Sequence, residues 1–186
     1  MSKQQNQTET TAASTLDAKS TILIVVDRQS TSQSFKESNH SFTCPTGTIM
    51  IGRHHSGDEN GQTLYMYATL KAVDSSGNTV PGTFEVENSG WSSPQKESSS
   101  DFAAPRNQVI TAREHQGDEN GQTWYKTGQI YFNDRLCYIE PEGDDLKITV
   151  KESAGVWAKK DLPIIHRKHT GDENGNTTYY FGKIVS

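Results

Sequence analysis

The chain predicts an all-β fold of three internal repeats with pseudo-threefold symmetry, β-trefoil or β-prism-like, preceded by a disordered N-terminal tail. Three observations carry this expectation. One frame, R-x-H-x-G-D-E-N-G-[QN]-T-x-Y, is written three times, from Arg53 to Tyr65, Arg113 to Tyr125 and Arg167 to Tyr179, and such self-similarity marks a fold assembled from repeated supersecondary units. Short β-branched and aromatic runs alternate with Gly, Pro, Asn and Asp clusters, the pattern of strands joined by turns. No stretch carries a 3.6-residue apolar stripe of helical length.

Residues 1–19 are mostly Gln, Thr, Ser and Ala, a composition that buries too little apolar surface to fold. Residues 20–186 then form one β domain of three repeats, 20–78, 79–141 and 142–186. Repeat one opens on Thr21 to Asp27, a short apolar run that reads as a strand buried on both faces. Arg28 to Asn39 reads as a polar loop, Ser41 to Cys44 as a short strand ended by Pro45, and Thr48 to His55 with Gln62 to Val73 as a hairpin. Repeat two follows the same order: Thr83 to Asn88, a loop from Ser89 to Ser100 carrying Trp91, Asp101 to Pro105, and the hairpin Val109 to Phe132. Repeat three opens on Leu146 to Glu152; its loop, Ser153 to Lys160, carries Trp157 and leads into the last hairpin. About four strands per unit, twelve in all, suit either threefold architecture, because units that cannot each bury an apolar face must share one core.

Composition narrows the function. A net charge of −5 without a basic block lacks the footprint of a nucleic-acid binder, and no run approaches the roughly 18 apolar residues of a membrane span. No secretory n-region or h-region precedes the domain, so the expected location is cytoplasmic, or outside the cell by a route without a classical signal peptide. Cys44 and Cys137 show neither C-x-x-C nor zinc-finger spacing; they read as small buried hydrophobes, with a disulfide between them left open. The lone histidines His40, His54 and His166 read as solvated.

Inside the frame, Asn-Gly between alternating strands is a strong hairpin signal, so each G-D-E-N-G is a hairpin tip. A register symmetric about the tip pairs His55 with Thr63 and Arg53 with Tyr65, and likewise in the other repeats. Turn chemistry accounts for Asn and Gly; the repeated Asp-Glu, Asp58-Glu59, Asp118-Glu119 and Asp172-Glu173, points to a ligand. Carboxylates and amides hydrogen-bond vicinal hydroxyls, and aromatic rings stack on the apolar face of a sugar, while three equal weak sites gain by avidity. The expected function is therefore a multivalent carbohydrate-binding protein, a lectin, with glycans as partners and no enzymatic activity. The repeat plan over Thr21 to Ser186 resembles that of threefold lectin folds. Its candidate ligand-binding residues are Arg53, His55, Asp58, Glu59, Asn60 and Tyr65; Arg113, His115, Asp118, Glu119, Asn120 and Tyr125; and Arg167, His169, Asp172, Glu173, Asn174 and Tyr179. No cofactor is required, with calcium admitted as an aid to sugar binding. The alternatives are a structural or self-associating β protein, forming homo-oligomers through exposed edges, and a metal-binding module that takes calcium through these oxygen ligands.

Overall fold

The computed structural model describes residues 22–141, 143, 146–172 and 174–186. The expected N-terminal tail and Glu173 of the third frame lie outside the described residues. The domain is all-β: no helix among the described residues is long and apolar enough to cross a membrane, and a 3-10 turn spans Glu97–Ser99.

Each hairpin forms where the frame predicts it. In repeat one β1 (Leu23–Thr31), β2 (Phe35–Lys36) and β3 (Asn39–Thr43) precede the hairpin β4 (Ile49–Ser56) and β5 (Gln62–Val73). After β6 (Thr79–Val80), repeat two runs through β7 (Phe84–Asn88), β8 (Gln95–Lys96) and β9 (Asp101–Ala103) to the hairpin β10 (Gln108–Gln116) and β11 (Gln122–Phe132). Two connecting strands, β12 (Arg135–Leu136) and β13 (Tyr138–Pro141), lead to β14 (Lys147–Lys151), β15 (Ala154–Lys159) and the last hairpin, β16 (Ile164–Thr170) and β17 (Asn176–Val185).

The pairing is antiparallel and links every unit to the next. Within the units the strands pair as β4-β5-β1, β10-β11-β7 and β16-β17-β14. Repeat one then gives β3 to β10 of repeat two, repeat two gives β9 to β16 of repeat three, and repeat three gives β15 to β4 of repeat one. The chain of donated strands closes on itself, so no unit has a complete sheet without a neighbour.

Each hairpin carries a register shift in the same place, between Met50 and Gly52, Ile110 and Ala112, and Ile164 and His166. A bulge resets the inward and outward alternation of a strand. Without it residues three apart would face opposite sides; with it, Met50 and Arg53, Ile110 and Arg113, and Ile164 and Arg167 line one central space. The core is divided accordingly. One cluster gathers Ile49, Ile51, Val109, Ile130 and Ile184, and the other packs Met50, Ile110 and Ile164 under Tyr65, Tyr125 and Tyr179.

Several expectations are corrected. The opening strand is not buried on both faces: of β1 only Ile24 is buried, and Leu23 is 51% exposed; β1 pairs along β5 and meets β17 only where Leu23 faces Val185. The expected loop from Ser153 to Lys160 holds β15, whose Trp157 stands beside His54 at 5.4 Å; the strand is recruited by β4 of another unit, a partner that local sequence does not reveal. His40, expected in solvent, is buried on β3. Cys44 and Cys137 are buried and free, and burial pushes both thiols up.

The tips impose a steric demand that can be tested. A Cβ on Gly121 would lie 2.1 Å from the Gln116 carbonyl oxygen and 2.8 Å from the Cα of Gly117. Gly121→Ala is expected to cost about 2–4 kcal/mol, read as a lowered urea midpoint. Gly90→Ala, where a Cβ meets nothing within 4 Å, leaves the midpoint unchanged; equal midpoints in the two variants would contradict this tip geometry.

Candidate functional site

The register places the frame residues as the tip symmetry requires. His55 faces Thr63 and Arg53 faces Tyr65; the same pairs recur as His115 with Thr123, Arg113 with Tyr125, His169 with Thr177 and Arg167 with Tyr179. Their burial differs from a surface site. The three arginines are 1–3% exposed, the histidines 1–4% and the tyrosines 0–2%. No tyrosine of the frame offers a free ring face to a sugar at the tip.

What surrounds the arginines is a second repeated signal that the frame does not contain. Lys-Glu-Ser occurs as Lys36-Glu37-Ser38, Lys96-Glu97-Ser98 and Lys151-Glu152-Ser153, its Glu 16, 16 and 15 residues ahead of Arg53, Arg113 and Arg167. The tripeptide was legible as a repeat, but it falls in stretches read as polar loop and strand end. Each Glu is buried between the arginine of its own repeat and that of the next. Glu37 pairs with Arg53 at 2.8 Å and Arg113 at 2.8 Å. Glu97 pairs with Arg113 at 3.0 Å and Arg167 at 2.6 Å. Glu152 pairs with Arg167 at 3.3 Å and Arg53 at 2.5 Å. Six alternating charges thus close a ring. Below it each arginine donates to a tyrosine hydroxyl of the preceding unit around the ring: Arg53 to Tyr179 at 3.1 Å, Arg113 to Tyr65 at 3.2 Å and Arg167 to Tyr125 at 3.0 Å.

Ionisation follows from this geometry. Burial alone raises a carboxyl, but Arg113 and Arg53 outweigh it at Glu37, Arg113 and Arg167 at Glu97, and Arg53 and Arg167 at Glu152, which is held at about 2. The arginines stay charged, because the glutamates outweigh the burial that would lower them.

The histidines stand one layer above. Each Nε2 lies 3.0 Å from the carbonyl of the tip's first glycine, Gly57, Gly117 or Gly171; a carbonyl only accepts, so Nε2 carries the proton. Burial first, and then the nearest arginine, lower all three imidazoles below the ordinary histidine value. They are neutral at pH 7, with Nδ1 as a lone-pair acceptor. In repeats one and three the Thr63 and Thr177 hydroxyls sit beside that Nδ1, at 2.9 and 2.8 Å, and donate their one proton to the Glu37 and Glu152 carboxylates.

The tips close the arrangement from above. Asp58, Asp118 and Asp172 each accept from the backbone N–H two residues on, that of Asn60, Asn120 or Asn174, at 2.8 Å. Such side-chain capping of a turn accounts for the repeated Asp without a ligand. Gly57, Gly117 and Gly171, at φ of 88°, 101° and 103°, supply the left-handed conformation that side chains resist. Each Lys-Glu-Ser strap also ties two tips together: Ser38 accepts from Gly117 N–H of the next unit at 2.7 Å, while Glu37 N–H donates to Gly61 of its own.

The three tips therefore meet at one funnel rather than forming three separate sites. Its wall is lined by Asp58, Glu59, Asp118, Glu119 and Asp172, and its floor by His55, His115, His169, Glu37, Glu97 and Glu152. The free space is about 30 Å³, room for an ion or a pair of waters but not a sugar ring. Carboxylate oxygens of the three floor glutamates lie within 4.8 Å of one another. Trp91 is 38% exposed on a loop with the Lys126 ammonium 4.8 Å over its ring, and is not among the residues lining the funnel.

Two outcomes follow. Arg113→Met strands Glu37 and Glu97 against one arginine each, and is expected to cost about 3–5 kcal/mol in urea unfolding, whereas the exposed Arg106→Met costs under about 0.5 kcal/mol. Stability also falls with acid. Burial foremost lowers His40 to about 4, so its folded value is below its unfolded one; the contribution is complete above pH 6.5 and is lost as pH falls through 4, on the order of 3 kcal/mol. The three funnel histidines act in the same direction, and a urea midpoint that stays flat from pH 7 to pH 5 would show that these imidazoles are not buried neutral. No protein-family model, curated protein or solved structure matches the chain.

Proposed function

We propose that the chain is a non-enzymatic binding module in which the three frames build one divalent-cation site at the mouth of a pseudo-threefold, prism-like domain. The strand exchange supports the prism over the trefoil: each unit's three strands take a fourth from a neighbour, giving the four-strand sets β15-β4-β5-β1, β3-β10-β11-β7 and β9-β16-β17-β14, the first and third joined where Leu23 of β1 pairs with Val185 of β17. The observation that carries the function is the convergence of acids from all three tips on one small funnel. The floor glutamates are neutralised by the three arginines. Asp58, Glu59, Asp118, Glu119 and Asp172 have no ion-pair partner among the described residues, so the mouth keeps an excess negative charge over a cavity of ionic size. Hard carboxylate oxygens there suit calcium.

A triple variant, Asp58→Asn with Asp118→Asn and Asp172→Asn, separates charge from turn chemistry, because Asn keeps the oxygen that caps each turn. Calorimetric titration with calcium is expected to show a loss of affinity of at least about tenfold at unchanged thermal stability, since ligand charge count tunes such sites. Wild-type protein that binds neither calcium nor zinc at millimolar concentration would end the cation reading.

Carbohydrate binding remains a second reading, favoured by a different place. A cavity of about 370 Å³ lies against Tyr180, His166, Asn107, Gln108 and Arg106, within the range of small-ligand pockets, and the Tyr180 and His166 rings stack at 4.6 Å along its side. A glycan array with and without calcium tests it: binding abolished by Tyr180→Ala supports this cavity, and no binding to any glycan removes the lectin reading.

A further inference from the structure

The three histidine, threonine and glutamate sets of the funnel floor are alike except at one point. In all three the histidine Nδ1 lies 3.8 Å from a carboxylate oxygen, His55 from Glu37, His115 from Glu97 and His169 from Glu152. In repeats one and three a threonine hydroxyl occupies the gap and donates its one proton to the carboxylate. In repeat two Thr123 instead donates to the backbone carbonyl of Glu114 at 3.1 Å. Glu97 Oε2 and His115 Nδ1 are left without a hydrogen-bond partner, although Glu97 is 6% and His115 1% exposed.

Two buried acceptors facing each other across 3.8 Å are an unfavourable pair. The His115 Nε2 proton is committed to Gly117, so Nδ1 presents its lone pair, and the carboxylate is ionised beside Arg113 and Arg167. Buried acceptors left without a partner are destabilising, and what relieves both at once is a donor or a cation between them. A neutral imidazole nitrogen with a carboxylate oxygen is the donor set of zinc-type ions, whereas calcium and magnesium favour oxygen alone. Bonds of about 2.0–2.2 Å from zinc to nitrogen and oxygen span the 3.8 Å gap with the ion set slightly off the line.

We infer that Glu97 and His115 form a zinc-type site, one per chain, in repeat two alone. Further ligand positions fall to water and to Asp118 and Glu119, which line the same funnel. Arg113 and Arg167 oppose the ion electrostatically, while Glu37, Glu97 and the mouth acids favour it. The inference rests on the cation reading of the funnel and goes beyond it, placing a nitrogen-containing ligand set on the floor beneath the mouth acids.

The experiment is a zinc titration of the full chain followed by imidazole 1H–15N correlation, with a parallel calcium titration. The expected result is saturation at one zinc per chain, with the Nδ1 resonance of His115 shifting and those of His55 and His169 unmoved. His115→Gln, which removes the nitrogen ligand, is expected to lose the one-per-chain zinc binding. Calcium binding without any His115 shift on adding zinc overturns this inference and leaves the cation reading standing, as does an equal shift of all three histidines. Absence of binding by either ion overturns both. The wild-type spectra decide the matter even if the variant fails to fold.

Discussion

The ring of Arg53, Glu37, Arg113, Glu97, Arg167 and Glu152 is the constraint on which the rest of the structure depends. Taking one such charge out of water costs several kcal/mol, and attraction repays it only where geometry and hydrogen bonding are complete. Each charge here has two opposite neighbours, one from its own repeat and one from another, so all three units must be in place before any of them is satisfied. The ring is weak grounds for stability as such, and strong grounds for a single arrangement: a slipped register or a missing unit leaves buried charges unpaired.

Other features follow from the need to hold the ring. The bulge in each hairpin brings an apolar residue and an arginine, such as Ile110 and Arg113, to one face. That stacks a charged layer directly over the apolar core of Met50, Ile110 and Ile164. The tyrosines lie between, apolar rings toward the core and hydroxyls toward the arginines. The donated strands β3, β9 and β15 carry the chain from each glutamate strap onto the next hairpin, so backbone pairing and ion pairing cross the same unit boundaries. Above the ring the glutamate oxygens and histidines form the floor of a polar funnel, and the tips bring further acids to its mouth. Charge is balanced in the ring and negative above it, the difference on which the proposed cation site rests.

Much of this was legible in the residues. The repeats, the hairpin tips and the facing of His55 with Thr63 and Arg53 with Tyr65 follow from Asn-Gly chemistry and strand alternation, both local properties. The glutamates were visible as a repeated Lys-Glu-Ser but carried no meaning, because a buried ion pair is defined by residues such as Arg53 and Glu152, 99 positions apart. The strand character of Ala154–Lys159 was hidden for a similar reason: its partner β4 lies in another unit. The repeated Asp of the tip, which sequence alone left over as a ligand signal, has a turn role in the structure, and its carboxylate is nonetheless brought to a shared funnel.

The sequence by itself determined the β class, the three hairpins and their registers, since turn propensity and the two-residue period act over a few neighbouring positions. Only the tertiary structure decided that arginine, histidine and tyrosine of the frame face inward. It alone also decided that the three frames meet at one place. Burial and charge pairing depend on which distant segments close around a residue, and the orientation of a single hydroxyl, that of Thr123, distinguishes repeat two from the other two although all three contain the same histidine, threonine and glutamate.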